Sequence, residues 1–394
     1  MVPRLEPPLA PSAPSAPRVH LAEDTASLRA WCARLRDEPI LALDVESNGL
    51  FAFEPALCVV QLATREDVIV VDTLVADPAC LAELVGPQGP LVVVHDLGFD
   101  ARMLSRAGAP LHRVADTALA AAFLGRTSTG LGAVLAAELG VTHDKSLQHH
   151  DWRARPLDAR AMRYLSGDVA HLLSLWDRLS AEVSEKGIAR ELAEETRHRL
   201  AEAQAPAEDA RPPLLRVKGV DRLDAADLPL LRALVEARDA LARELDVPPF
   251  KVLANDALVA TAQRRPRSLG ELSRIDGAHR GRAKALSRRM LELVGEEHPP
   301  LTPEERAGLH PARPSPAHLK ARKRCEGALL AWRKAEAARR EVNAQVVLPG
   351  HVLRGLAERG AVSTGDLTSV PGFGDFRVER YGGALLALLS EPDP

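Results

Sequence analysis

ILALDVESNGLF, residues 40–51, is an apolar run that ends in Asp44 and Glu46, directly before an Asn-Gly pair. A short aliphatic run of this kind reads as a β-strand, and a strand alternates its side chains with period two. Asp44 and Glu46 then share one face, while Leu41, Leu43 and Val45 share the opposite one. Alone, an Asp-x-Glu at a strand end is a common solvated terminus. Its meaning depends on what the rest of the chain brings to the same face.

Three similar runs follow: LCVVQLA (57–63), DVIVVDT (67–73) and LVVVHD (91–96). The first three of the four runs are close enough in sequence for an antiparallel meander. The last follows a helical stretch around 76–86 and can return parallel to the first, which predicts a mixed sheet. From about 98 to 200 the periodicity is helical, through FDARMLSRAG, TALAAAFLG, GLGAVLAAELG and one long segment, DARAMRYLSGDVAHLLSLWDRLSAEVSEKG. Helices flanking such a sheet give an α/β domain.

Beyond EAQAPAEDARPPL (202–214) strand signals almost vanish. Two helical sets share an outline: a long Arg-rich helix, a break, a short helix, then Leu-Ser or Leu-Thr and a Gly-containing turn. This reads as a diverged internal repeat. The expected organisation is a disordered lead over 1–19, an α/β domain over 20–201, a linker over 202–217, a first helical domain over 218–297, a linker over 298–317 and a second helical domain over 318–394.

Composition sets bounds. The chain has 394 residues, 46% hydrophobic and 27% charged, a soluble globular balance, and with only 3% aromatics its cores must be Leu, Val and Ala. A net charge of -3 does not signal a polyanion partner in bulk. The cysteines at 32, 58, 80 and 325 form no CxxC pair, so neither a structural zinc site nor a disulfide framework is indicated, and a reducing compartment fits. No apolar run approaches the roughly 20 residues of a membrane span, and the Pro-, Ala- and Ser-rich start lacks a signal-peptide core. The expected location is cytoplasmic, with no membrane and no small-molecule organic cofactor.

Three more residues are candidates to join the pair on the first strand, beside plainer readings as a first-turn helix acid and an amphipathic helix face. Asp100, in DLGFDARML, opens a helix after the fourth strand, where the helix dipole tolerates an anion. Tyr164 and Asp168, in MRYLSGDVAHLL, are four apart and so stack on one helix face. Gly167 between them weakens the helix by about 1 kcal/mol relative to Ala, a cost consistent with close approach of a ligand or strand. Four carboxylates could converge only with cations among them. Oxygen-only ligands select hard ions, Mg²⁺ or Mn²⁺. Two such ions about 3.5–4 Å apart can activate water and stabilise the leaving oxygen of a phosphodiester.

LALDVES, HDLGFD and YLSGD resemble the three motifs of the DEDD 3′→5′ exonucleases, in the subclass whose third motif is Tyr-x-x-x-Asp. VADTALAAAFLG and the DKSLQ…DW…RPL string are similar to the ribonuclease D family in particular, over roughly residues 20–200. ALVEARDALARELDVPPFKVLANDALVATAQRRP resembles the helical HRDC domain, and the second helical set looks like a weaker copy. The resemblance implies a ribonuclease H-like α/β exonuclease domain followed by two small all-α HRDC-like domains. It implies that Asp44, Glu46, Asp100 and Asp168 hold two Mg²⁺ or Mn²⁺ ions and that Tyr164 orients the attacking water. A phenol is protonated near neutral pH, so it suits holding a water better than acting as a base. The implied activity is 3′→5′ exoribonuclease action releasing nucleoside 5′-monophosphates, with 3′ ends of tRNA precursors or other structured RNA as substrate.

The chain also departs from that pattern. Ribonucleases D usually follow the first-motif Glu with a bulky aromatic that contacts the terminal nucleotide, whereas here Ser47, Asn48 and Gly49 follow. Phe51 or Phe53 is the expected substitute. Asp96 is expected to cap the helix that follows it. His143, His149, His150 and Asp151 lack the spacing of a zinc site. Trp152 and Arg155 read as a loop closing over the active-site helix, with Arg155 a phosphate contact.

Between 264 and 289 stand Arg264, Arg265, Arg267, Arg274, Arg280, Arg282, Lys284, Arg288 and Arg289, against only Glu271 and Asp276. That excess, and a shorter KARKR at 320–324, suit an RNA backbone, while the missing aromatics argue against base reading. Two alternatives stand beside the RNA reading: a DNA 3′→5′ exonuclease, which differs by 2′-hydroxyl contacts invisible in sequence, and a non-catalytic RNA-binding scaffold.

Overall fold

The computed structural model describes residues 17–206, 211–309, 314–359 and 363–390. Its first domain is built on a six-stranded mixed sheet of order β1-β4-β3-β2-β5-β6. The strands are β1 (Arg18–Ala22), β2 (Ile40–Ser47), β3 (Leu57–Ala63), β4 (Asp67–Asp72), β5 (Leu91–Val94) and β6 (Val114–Asp116). The β2-β3-β4 meander is antiparallel and β5 returns parallel to β2, as the sequence predicts. The two outer strands, β1 and β6, were not foreseen and pair parallel with β4 and β5. Runs of three to five residues carry too little alternation to stand out in sequence.

Helices α1 (Thr25–Leu35), α2 (Leu97–Arg106), α3 (Thr117–Phe123), α4 (Leu131–Leu139), α5 (Ala159–Val169), α6 (Leu172–Glu185) and α7 (Ala189–Gln204) cover both faces of the sheet. The segment expected as one long helix breaks at Ala170–His171 into α5 and α6. Coverage on both faces accounts for the uninterrupted burial of β3 and β4. Alternation along β2 holds: Leu41, Leu43 and Val45 pack with Leu28, Leu97 and Leu104, and Ala42 joins the core of Tyr164, Leu165 and Leu172 on the other face. Asp44 and Glu46 therefore point toward the α5 layer.

The first helical domain contains α8 (Leu228–Glu244), α9 (Pro249–Val252), α10 (Asn255–Arg264), α11 (Leu269–Leu272) and α12 (Ala283–Gly295), followed by α13 (Pro303–Leu309). The second repeats the order with α14 (Pro316–Arg340), α15 (Ala344–Val347), α16 (Gly350–Arg359), α17 (Thr364–Thr368) and α18 (Asp375–Ser390). Each has its own apolar core.

Several expected boundaries move. Residues 18–19, placed in the disordered lead, begin β1, and residues 1–16 of that lead lie outside the described residues. The 202–217 linker is ordered at both ends, because α7 runs to Gln204 while Leu214 and Val217 are buried in the first helical core. The 298–317 linker contains α13, fastened by Glu305 to Arg232 at 3.0 Å, and the start of α14. Residues 207–210 and 310–313 of these linkers, and 360–362 and 391–394 of the expected second helical domain, are also outside the description.

Candidate active site

The site forms where β2 ends. The β2–β3 register shifts between Glu46 and Ser47, just after the second carboxylate, and the strand ends at Ser47. Asn48 is buried and its side-chain carbonyl accepts the Ala56 N–H at 2.8 Å, closing the loop that follows. α5 brings the third motif. Asp158 caps it by accepting from the Ala161 N–H at 2.7 Å, and Tyr164 and Asp168 lie one turn apart on its buried face. Carboxylate oxygens of Asp44, Glu46 and Asp168 lie within 4.8 Å of one another.

Asp100 enters from the first turn of α2. Its side chain is buried, and its Oδ2 has no hydrogen-bond partner among the described residues. The charges of Asp44 and Glu46 both act on it. Asp100 is not part of the 4.8 Å group, so it flanks the cluster rather than completing it.

Burial and mutual repulsion hold protons on these groups. Burial lifts the Asp44 carboxyl to about 7. Burial, then Asp44, lifts Glu46 to about 8. Burial, then Asp44 and Glu46, lifts Asp168 to about 9. Asp100 is pushed well above the ordinary carboxylate range by burial and then Asp44. The Tyr164 phenol is also raised, by burial and then Asp168, so Oη keeps its proton. An all-oxygen cluster with a buried orphan carboxylate oxygen fits hard divalent cations, whose charge would relieve this repulsion.

The loop before α5 closes over the cluster. The Trp152 ring is fully buried 5.6 Å from Tyr164, as a closing loop requires. Arg155 has a different role from the one expected. Its guanidinium grips Asp72 through two bonds of 2.5 and 2.7 Å and donates to the carbonyls of Cys58, Trp152 and Ala154, so it fastens the loop to the sheet and has no donor pointing to a phosphate.

Phe51 and Phe53 meet the first helical domain. Lys251 sits 4.1 Å over the Phe51 ring and Arg243 4.7 Å over Phe53, which packs against the first helical core. Both rings are thus engaged by that domain. Leu50, in the same loop, and Phe99, next to Asp100 in sequence, are exposed.

Asp96 makes no side-chain cap; it adopts a left-handed conformation. Asp116 at the end of β6 caps instead, accepting from the N–H groups of Asp96, Leu97, Ala118 and Leu119 at 2.9–3.1 Å. Gly167 meets no protein atom within 4 Å of where a Cβ would stand, so no strand approaches it. The histidines form no cluster with Asp151. His149 is exposed, His150 meets the edge of Trp152, and His143 reaches Asp168, with Nε2 3.4 Å from Oδ1. Loop spacing gave no signal for that last contact. In the basic segment Arg265 is tied to Asp227 at 3.0 Å, while Arg264, Arg282 and Lys284 are exposed.

Comparison with known proteins agrees with this architecture. The 3′-5′ exonuclease family matches residues 19–184, and the HRDC domain matches twice, at 227–294 and 322–389. The ribonuclease D of Pseudomonas paraeruginosa is 31% identical over 72% of this chain and 75% of its own length. The chain belongs to the ribonuclease D family. The ribonuclease D of Sphingobium indicum is 29% identical over 75% of this chain and 76% of that protein. The fold is that of the Escherichia coli RNase D crystal structure, with a TM-score of 0.66 at 24% identity, covering 96% of this chain and all of that one. As a ribonuclease D, the chain is a 3′→5′ exoribonuclease with two HRDC domains. Among the described residues, no helix is long and apolar enough to cross a membrane.

Proposed function

We propose that the chain trims structured RNA, such as tRNA precursors, from the 3′ end, releasing nucleoside 5′-monophosphates by two-metal hydrolysis in the cytoplasm. The observation that carries this reading is the meeting of Asp44, Glu46 and Asp168 within 4.8 Å beside the buried, unpartnered Asp100. These four carboxylates would hold the two cations, Mg²⁺ or Mn²⁺. Bound there, such ions supply Lewis acidity toward the scissile phosphate and lower the pKa of water.

The chain's own groups do the rest. Tyr164, kept protonated, holds the attacking water through Oη and is no base. Trp152 against Tyr164 and Arg155 on Asp72 hold the loop over the cluster. The exposed Arg264, Arg282 and Lys284 would hold RNA backbone without reading bases, an interaction that weakens with salt.

The test uses 5′-labelled RNA and DNA oligomers with Mg²⁺ or Mn²⁺, a chelator control and Asp44→Ala. A metal-dependent ladder shortening from the 3′ end of RNA is expected. The substitution should reduce it by more than about a hundredfold, beyond the 10–100-fold typical of residues behind the ligands. Internal cleavage, or full activity in Asp44→Ala, would overturn the assignment.

A further inference from the structure

Three buried donors stand behind the carboxylate cluster, one beside each of its members. Gln61 lies directly opposite Asp44 in the β2–β3 register, on the same face of the sheet. It is fully buried, and neither its Oε1 nor its Nε2 has a hydrogen-bond partner among the described residues. The Trp152 N–H is likewise buried without a geometric partner, yet it lies near enough to Glu46 to draw that carboxyl's pKa down against the effect of burial. His143 places Nε2 3.4 Å from the Asp168 Oδ1, with its side chain only 9% exposed. Its ring also sits 6.5 Å from the Tyr164 ring.

Buried donors left unpaired are costly, so two at one place, on Gln61 and Trp152, call for an explanation. Groups behind metal-binding carboxylates commonly supply it, because they fix each carboxylate's orientation and tune the site's affinity. Gln61 across the strand pair from Asp44 and His143 beside Asp168 are placed to act in that way.

We propose that Gln61, Trp152 and His143 are positioning residues that donate hydrogen bonds to Asp44, Glu46 and Asp168, and so set how tightly this site binds its metal. This rests on the reading of those carboxylates as metal ligands. Each donor comes from a different place: Gln61 from the central sheet, His143 and Trp152 from the two ends of the loop that closes over α5.

The full chain is titrated with Mn²⁺ by calorimetry and by the Mn²⁺ electron paramagnetic resonance signal, without RNA. Gln61→Leu, Trp152→Phe and His143→Leu remove a donor while keeping most of the volume, and His143→Gln keeps one. Each of the first three should bind Mn²⁺ about 10–100-fold more weakly, and His143→Gln should recover most of the loss. In turnover assays the metal concentration for half-maximal rate should rise by a similar factor, with kcat at saturating Mn²⁺ much less affected.

Melting in chelator reports folding independently. If Trp152→Phe or Gln61→Leu fails to fold, His143→Leu, on an irregular loop, carries the test. Wild-type affinity, within twofold, in folded variants overturns the donor proposal alone. No Mn²⁺ binding by the wild type, or unaltered binding by Asp44→Asn, overturns the site reading and the proposal with it.

Discussion

Each carboxylate of the cluster holds its proton to a higher pH in the folded chain than an unfolded carboxyl, which titrates near 4. For Asp44, Glu46 and Asp168 the folded values are about 7, about 8 and about 9. Through that window the folded chain binds more protons than the unfolded one, so linkage makes the metal-free protein less stable as pH rises. The contribution is fully present below about pH 4 and gone above about pH 9. The melting temperature in chelator is therefore expected to fall between pH 5 and pH 9, more steeply for wild type than for Asp168→Asn. Cations bind the ionised carboxylates, so the rise in melting temperature on adding Mn²⁺ should grow over the same range. A wild-type slope in chelator no steeper than that of Asp168→Asn would remove the cluster as its cause.

At the scale of elements, much of the site was legible because it lies on regular structure. Period two put Asp44 and Glu46 on one face of β2, and a spacing of four put Tyr164 and Asp168 on one face of α5. What stayed hidden depends on irregular backbone or distant partners. Arg155 reads equally well as a phosphate ligand until Asp72, on another element, is seen to occupy its fork. Phe51 and Phe53 have the right chemistry for a base, but the domain that claims them lies about two hundred residues away along the chain.

Asp116 is the sharpest case, since local sequence gives the α2 cap to Asp96 while the fold gives both the α2 and α3 starts to one carboxylate. Loss of an N-cap costs about 0.5–2 kcal/mol, so Asp116→Ala should cost about 2–3 kcal/mol in urea unfolding. It should also lower kcat well below the melting point, because α2 carries Asp100 in its first turn. A stability loss under about 0.5 kcal/mol would show that other contacts hold both helices.

At the scale of the molecule, the two helical domains are fastened to the exonuclease domain by different chemistry. The first docks through Lys251 over Phe51, Arg243 over Phe53 and an Arg153–Asp246 pair at 2.7 Å. The second docks on α7 through buried charge. Arg340 meets Glu191 at 2.7 Å, with side chains 7% and 0% exposed. Glu194 accepts the Phe376 N–H at 2.7 Å and lies 3.4 Å from the fully buried Arg377. Gly374, at φ +76, is where a Cβ would fall 2.3 Å from the Glu194 carboxyl carbon, so the turn can approach α7 only as glycine.

Removing the whole second domain would return these glutamates to water, which costs little. Removing Arg340 alone leaves Glu191 buried and unpaired, a change of about 3–5 kcal/mol that the chain can relieve by undocking the domain. Arg340→Ala should therefore show a larger radius of gyration in X-ray scattering than wild type, and adding Glu191→Gln, which removes the stranded charge, should restore compaction. If the docked second domain grips structured RNA, the undocked variant should trim short single strands at the wild-type rate while losing affinity for structured RNA. An unchanged radius of gyration in Arg340→Ala would mean that the apolar contacts of the seam, not its ion pairs, hold the domain in place.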